Sequence, residues 1–126
     1  MLKILILLRS FRSAARGIRV AFLEEQNFRL QLGIAACAVI FGILFRLTLN
    51  EWIALAFAIG IVLFAELFNS VLERLLDSMK PRVSLLVGAM KDLMSAAVFI
   101  TALMALCIGL LLFLPRFIHI FTFLFR

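Results

Sequence analysis

Three stretches of this chain are apolar for long enough to cross a bilayer, and they constrain everything else it can build. Residues 30–49, 52–76 and 93–114 each supply the ~20 mostly apolar residues that a helix rising 1.5 Å per residue needs to span a hydrocarbon core. With 66% hydrophobic residues in only 126 positions, there is room for these spans and little else, which excludes a small soluble domain. Strand-type alternation is absent, and helix is the open-ended element that satisfies its own backbone in lipid. The expected fold is therefore an all-α integral membrane protein forming a single domain over residues 1–126. A surface helix covers residues 1–28, and residues 115–126 form a tail.

The surface helix is read from its two stripes. Leu5, Leu8, Phe11, Ala15, Ile18 and Phe22 recur every three or four residues, with Arg9, Arg12, Arg16 and Arg19 alongside. That pattern suits a helix lying on anionic headgroups. A basic arm for nucleic acid would leave the apolar stripe exposed, so no nucleic-acid partner is expected. The opening MLKILILLR has five apolar residues before Arg9, fewer than the ~7 to 15 of a signal-peptide core, and no cleavage is expected. Cys37 and Cys107 lie singly in different apolar runs and read as core filler, and His119 lies beyond the last span.

Further along, Arg46 is a snorkelling residue at the end of the first span and Trp52 an interface anchor for the second. Pro115 and Arg116 stop the third, and Ser78 to Met90 make a basic loop. Lys and Arg concentrate in residues 1–29 and 74–91. The positive-inside rule then places the N-terminus and the second loop in the cytoplasm and the tail outside.

Against this background the segment ELFNSVLERLLD is unusual. Glu66, Asn69, Glu73 and Asp77 follow one another at helical spacing, so they share one face of the second membrane helix. Glu66 falls ~22 Å along a helix that starts near Glu51, inside the cytoplasmic leaflet. A carboxylate there costs several kcal/mol unless it is paired, hydrated or neutralised, and marks a functional site by default. Lys91, Asp92 and Ser95 stand where the third span enters the membrane, and Glu24 and Glu25 end the surface helix at the same level. Phosphoryl transfer needs such a set: acids such as Glu25 and Glu73 for Mg²⁺, a cation such as Lys91 on the phosphates, and an acid such as Glu66 at the attacking hydroxyl. No Walker motif is present. Two other readings remain open from the residues alone: a small oligomeric transporter using Glu66 as its proton site, and a holin-like protein without chemistry.

The motif E-x-x-N-S-x-x-E-x-x-x-D beginning at Glu66, followed by KDxxSAAV beginning at Lys91, resembles the small bacterial diacylglycerol kinase and undecaprenol kinase group. EQNF at Glu25 to Phe28 resembles the family's acidic residue three before a phenylalanine. The resemblance covers about residues 9–116. It implies a homotrimer of three-span subunits in the bacterial cytoplasmic membrane, with active sites at subunit interfaces on the cytoplasmic side, acting on ATP and a membrane lipid with Mg²⁺. Glu66 matches the family's proton acceptor, and Glu25 and Glu73 its metal pair. Asn69, Asp77, Lys91 and Asp92 match catalytic-support or nucleotide positions. Ser95 matches a lipid-site position, and Glu66 and Arg19 are further candidates for contacting the lipid. Ser84 stands where many members carry histidine, Met90 where alanine is usual, and Gln31 where the diacylglycerol branch has an acid. SFRSAARGI and the FLP ending are more similar to the undecaprenol branch.

Overall fold

The computed structural model describes residues 2–78 and 84–124, all of them in four helices and short connections. Helix α1 runs Leu2–Glu24, α2 Gln26–Leu44, α3 Leu49–Ser78 and α4 Ser84–Leu124. Helices α2, α3 and α4 are long and apolar enough to cross a membrane. α3 lies centrally and packs on both α2 and α4, while α1 meets α2. Burial is inverted relative to a soluble domain. Phe57, Leu49 and Leu111 are at least 75% exposed, whereas the carboxylate-bearing Glu66 is 4% exposed. Large apolar side chains can face outward at no cost when the surroundings are lipid, so the polar stripe is what turns inward.

The α1–α2 junction is a single residue, Glu25, with extended backbone at φ −103° and ψ 112°. Arg29 reaches back from α2 to donate hydrogen bonds to the carbonyls of Phe22 and Leu23, both 3.0 Å, satisfying acceptors that the end of α1 leaves open. The two helices thus meet at a fixed corner.

At its other end α2 closes earlier than expected. The helix stops at Leu44, and Arg46 adopts a left-handed conformation with φ 51°. The Leu47 amide bonds the Gly42 carbonyl and the Arg46 amide the Ile43 carbonyl, both at 3.1 Å. This is the paired closure of a Schellman motif, and it corrects a first span over 30–49 with Arg46 as its last helical turn. Gly42 is required there. A Cβ at Gly42 would lie 2.9 Å from Trp52 Cη2 and 3.0 Å from Leu47 Cδ1. Thr48 then caps α3, its amide donating to Glu51 Oε2 at 2.8 Å.

The third membrane helix departs most from expectation. It begins at Ser84, so residues 84–90 of the expected basic loop are helical, and it continues through Pro115 to Leu124. Proline removes one amide and normally ends or bends a helix. Here Arg116 supports the backbone by donating to the Leu112 carbonyl, and its Nη2 also binds both Glu51 oxygens at 2.9 and 2.8 Å. Phe45 and Phe117 pack edge to face at 5.0 Å beside this ion pair. Contacts to two other elements therefore carry α4 past the proline. The core beneath them centres on Leu47, Leu55 and Leu112. Cys37 and Cys107, expected as core filler, are instead on exposed faces.

Candidate functional site

The inward stripe of α3 meets the α1–α2 corner. Glu66 is buried, and Gln31, in the second turn of α2, donates a 2.6 Å hydrogen bond from Nε2 to Glu66 Oε1. Ser70, also buried, turns its hydroxyl onto the Glu66 backbone carbonyl at 3.0 Å. This leaves the side-chain carboxylate with an amide partner from another helix. Glu25 and Glu73 are the charged groups within electrostatic reach of Glu66. Three of the acids singled out in the sequence therefore converge, one at the corner and two on α3. Asn69 lies between Glu66 and Glu73 on the same face, and its Oδ1 is buried without a hydrogen-bond partner.

Three ion pairs, made by two cations, frame the convergence. Arg74 Nη2 lies 2.8 Å from Glu24 Oε2 and 2.9 Å from Glu25 Oε1, tying α3 to the corner. Lys91 Nζ lies 2.7 Å from Asp77 Oδ1, tying the first turns of α4 to the last turn of α3. The charges expected at the mouth are thus arranged in layers: Glu66 deepest, Glu25 and Glu73 next, Asp77 and Lys91 outermost. Arg19, Asp92 and Ser95 are exposed on α1 and α4, and among the described residues none of them bonds to the Glu66 group. The Ser84 side chain lies outside the described residues.

A cavity of about 410 Å³ opens between α2, α3 and α4. Leu30, Ala35, Leu55, Ile59, Val62 and Ala105 are among its walls, and Gln31 is the one polar side chain lining it. Gln31 also holds Glu66, so the buried carboxylate is one hydrogen bond away from a residue that lines this apolar chamber. Such a space accepts a hydrocarbon chain, and a single polar group at its border can orient that chain's head.

The family model for prokaryotic diacylglycerol kinase matches residues 12–113, taking in the corner, the stripe and the Lys91 turn. The chain belongs to the prokaryotic diacylglycerol kinase family. It is a lipid kinase. Undecaprenol kinase of Bacillus subtilis is 34% identical over 108 residues, covering 86% of this chain and 88% of that protein. Diacylglycerol kinase of Synechocystis is 31% identical over 110 residues, 86% of this chain but 63% of that longer protein. The α4 extension beyond Pro115 lies outside the stretch that this kinase shares with the family model.

Sequence reasoning missed two residues of the site. Gln31 stood out only as a replacement for an acid, and Arg74 only as one more basic residue near the second loop. Both are bonded to partners outside their own helix, Gln31 to Glu66 on α3 and Arg74 to Glu24 and Glu25 at the α1–α2 corner. A pattern read along one helix carries no signal for such pairs.

Proposed function

We propose that this kinase transfers the γ-phosphate of ATP to the hydroxyl of diacylglycerol or undecaprenol, making phosphatidic acid or undecaprenyl phosphate for phospholipid or cell-envelope lipid recycling. Undecaprenol is the favoured acceptor, since Gln31 replaces the acid of the diacylglycerol branch and the Bacillus relative carries that name. The observation that carries the reading is the buried Glu66, held by a glutamine that lines an apolar cavity and within electrostatic reach of Glu25 and Glu73.

Each step follows from this chain's own groups. The cavity holds the lipid chain and leaves its hydroxyl at the polar border, where water is scarce. Glu66, aimed by the Gln31 amide, accepts a hydrogen bond from that hydroxyl and takes its proton as the oxygen attacks the γ-phosphorus, whose bond to the bridging oxygen breaks to release ADP. Lys91 and Asp77 stand on the solvent side, where a triphosphate enters.

The donor set suits a hard divalent cation. Glu25 and Glu73 offer carboxylate oxygens, and Asn69, on the same face of α3 as Glu73, offers a buried carbonyl oxygen without a hydrogen-bond partner. Among the described residues no three acidic, histidine or cysteine side chains form a closed metal cluster, so other ligands, such as phosphate oxygens, would have to complete the coordination of an ion held by this pair. Mg²⁺ bound there would neutralise charge developing on the transferred phosphoryl group.

The reading also takes the active assembly to be a homotrimer in the bacterial cytoplasmic membrane, with α1 on the cytoplasmic surface. The exposed positions of Arg19, Asp92 and Ser95 support it, because a neighbouring copy can bring such residues to the Glu66 group. Incubating the purified protein with ATP labelled in its γ-phosphate and with diacylglycerol, undecaprenol or ceramide tests the function. Label should pass to undecaprenol or diacylglycerol. Absence of label from every lipid overturns the proposal.

A further inference from the structure

The contact between Arg74 and Glu25 carries a consequence for how the nucleotide site loads. Glu25 is the one-residue junction between α1 and α2 and the N-cap of α2, a position from which a side-chain oxygen can accept a hydrogen bond from the helix amides. It makes no such bond. Its carboxylate is turned instead to α3, where Arg74 Nη2 holds Oε1 at 2.9 Å while the same nitrogen holds Glu24 Oε2 at 2.8 Å. One guanidinium nitrogen thus serves two adjacent carboxylates, and among the described contacts the other two nitrogens of Arg74 are not engaged. The Arg74 charge thus sits between Glu24 and Glu25, with Asp77, paired to Lys91, one turn further along α3.

We propose that Arg74 and the divalent cation compete for Glu25, and that Arg74 passes to the phosphates of the nucleotide as the cation takes that carboxylate over. The inference rests on the kinase reading above. Glu25 has a single negative charge and two cationic claimants. The Arg74 side chain is half exposed, at 49%, and an ion pair so open to water holds its partner only weakly. A guanidinium has five N–H donors in a planar fork, a geometry that matches phosphate oxygens. Glu24 is the tether: bonded to it, Arg74 stays at the site after giving up Glu25. The cation then binds well only together with the phosphates that occupy Arg74, so metal and nucleotide load as one. Arg74 acts as a phosphate-binding residue, and as the positioning residue that turns Glu25 toward α3.

The test uses full-length protein in detergent, with Arg74→Gln and Arg74→Lys beside the parent. Binding of Mn²⁺ to nucleotide-free protein is followed by the loss of the free-ion electron paramagnetic resonance signal. Arg74→Gln should bind Mn²⁺ several-fold more tightly than the parent. Its KM for Mg·ATP should rise roughly tenfold, the size of one charge-assisted contact, with the change falling on KM more than on kcat. Arg74→Lys keeps a cation for Glu25 but loses the fork, so its Mn²⁺ affinity should stay near the parent's while KM for Mg·ATP still rises. Should Arg74→Gln fail to assemble, Arg74→Met takes its place as the uncharged variant, with the same tighter Mn²⁺ binding expected. Unchanged or weaker Mn²⁺ binding in Arg74→Gln overturns the competition, and a parent-like KM for Mg·ATP in Arg74→Lys overturns the phosphate contact. A parent that labels no lipid defeats the kinase reading instead, while the Mn²⁺ measurement still decides whether Arg74 withholds Glu25.

Discussion

Gln31 Nε2 lies 2.6 Å from Glu66 Oε1, so the second turn of α2 holds a buried carboxylate in the middle of α3. An amide is a good partner for a catalytic acid at that depth. It donates to the carboxylate without placing a cation there, leaving the second oxygen to meet a substrate hydroxyl. Gln31→Leu keeps the volume but removes the donor and strands Glu66. Losing the partner of a buried polar group costs about 1–3 kcal/mol, and more when the group is charged. The variant should unfold at lower temperature in detergent and lose activity, whereas Gln31→Asn, one methylene short, should lose stability less severely. Parent-like thermal unfolding of Gln31→Leu would show that the contact does not support the site.

Glu25→Gln and Glu73→Gln each remove one hard anionic ligand from the proposed metal pair. Both variants should need several-fold more Mg²⁺ to reach half-maximal activity, because a neutral amide oxygen holds a divalent cation less well. Overlay of both Mg²⁺ titration curves on the parent's would remove these residues from the metal site.

The distribution of Lys and Arg predicts that the two ends of α4 lie on opposite sides of the membrane. After Cys37 and Cys107 are changed to alanine, single cysteines at Ser84 and Thr122 should react with an impermeant thiol reagent from opposite faces of sealed vesicles. Reaction of both from one face would refute the three-span topology.

The parts of the site that repeat along one helix were legible in the sequence. The spacing of Glu66, Asn69, Glu73 and Asp77 required only that the segment be helical, and Lys91 followed from its place at the start of a span. Glu25 was legible through its motif. Pairings between helices were not, because periodicity records which face a residue occupies and not what packs against it. Gln31 and Arg74 were therefore not linked to their partners. The same reason explains the third span: Pro115 reads as a stop until Glu51, far away in sequence, is seen to hold Arg116. The Leu44 end of α2 was obscured because its closing residue is Arg46, where glycine would have signalled the left-handed turn.

The central claim is that Glu66 takes the proton from the lipid hydroxyl, and Glu66→Gln tests it most directly. Glutamine preserves the size of the side chain and some hydrogen bonding while removing the base, and general-base catalysis typically contributes about 10²- to 10⁴-fold. The measurement is the turnover number for γ-phosphate transfer at saturating lipid and ATP, in protein shown to keep the parent's oligomeric state and nucleotide affinity. The account predicts a fall of at least about 10²-fold. Turnover close to the parent's would contradict it and leave Glu66 a structural acid.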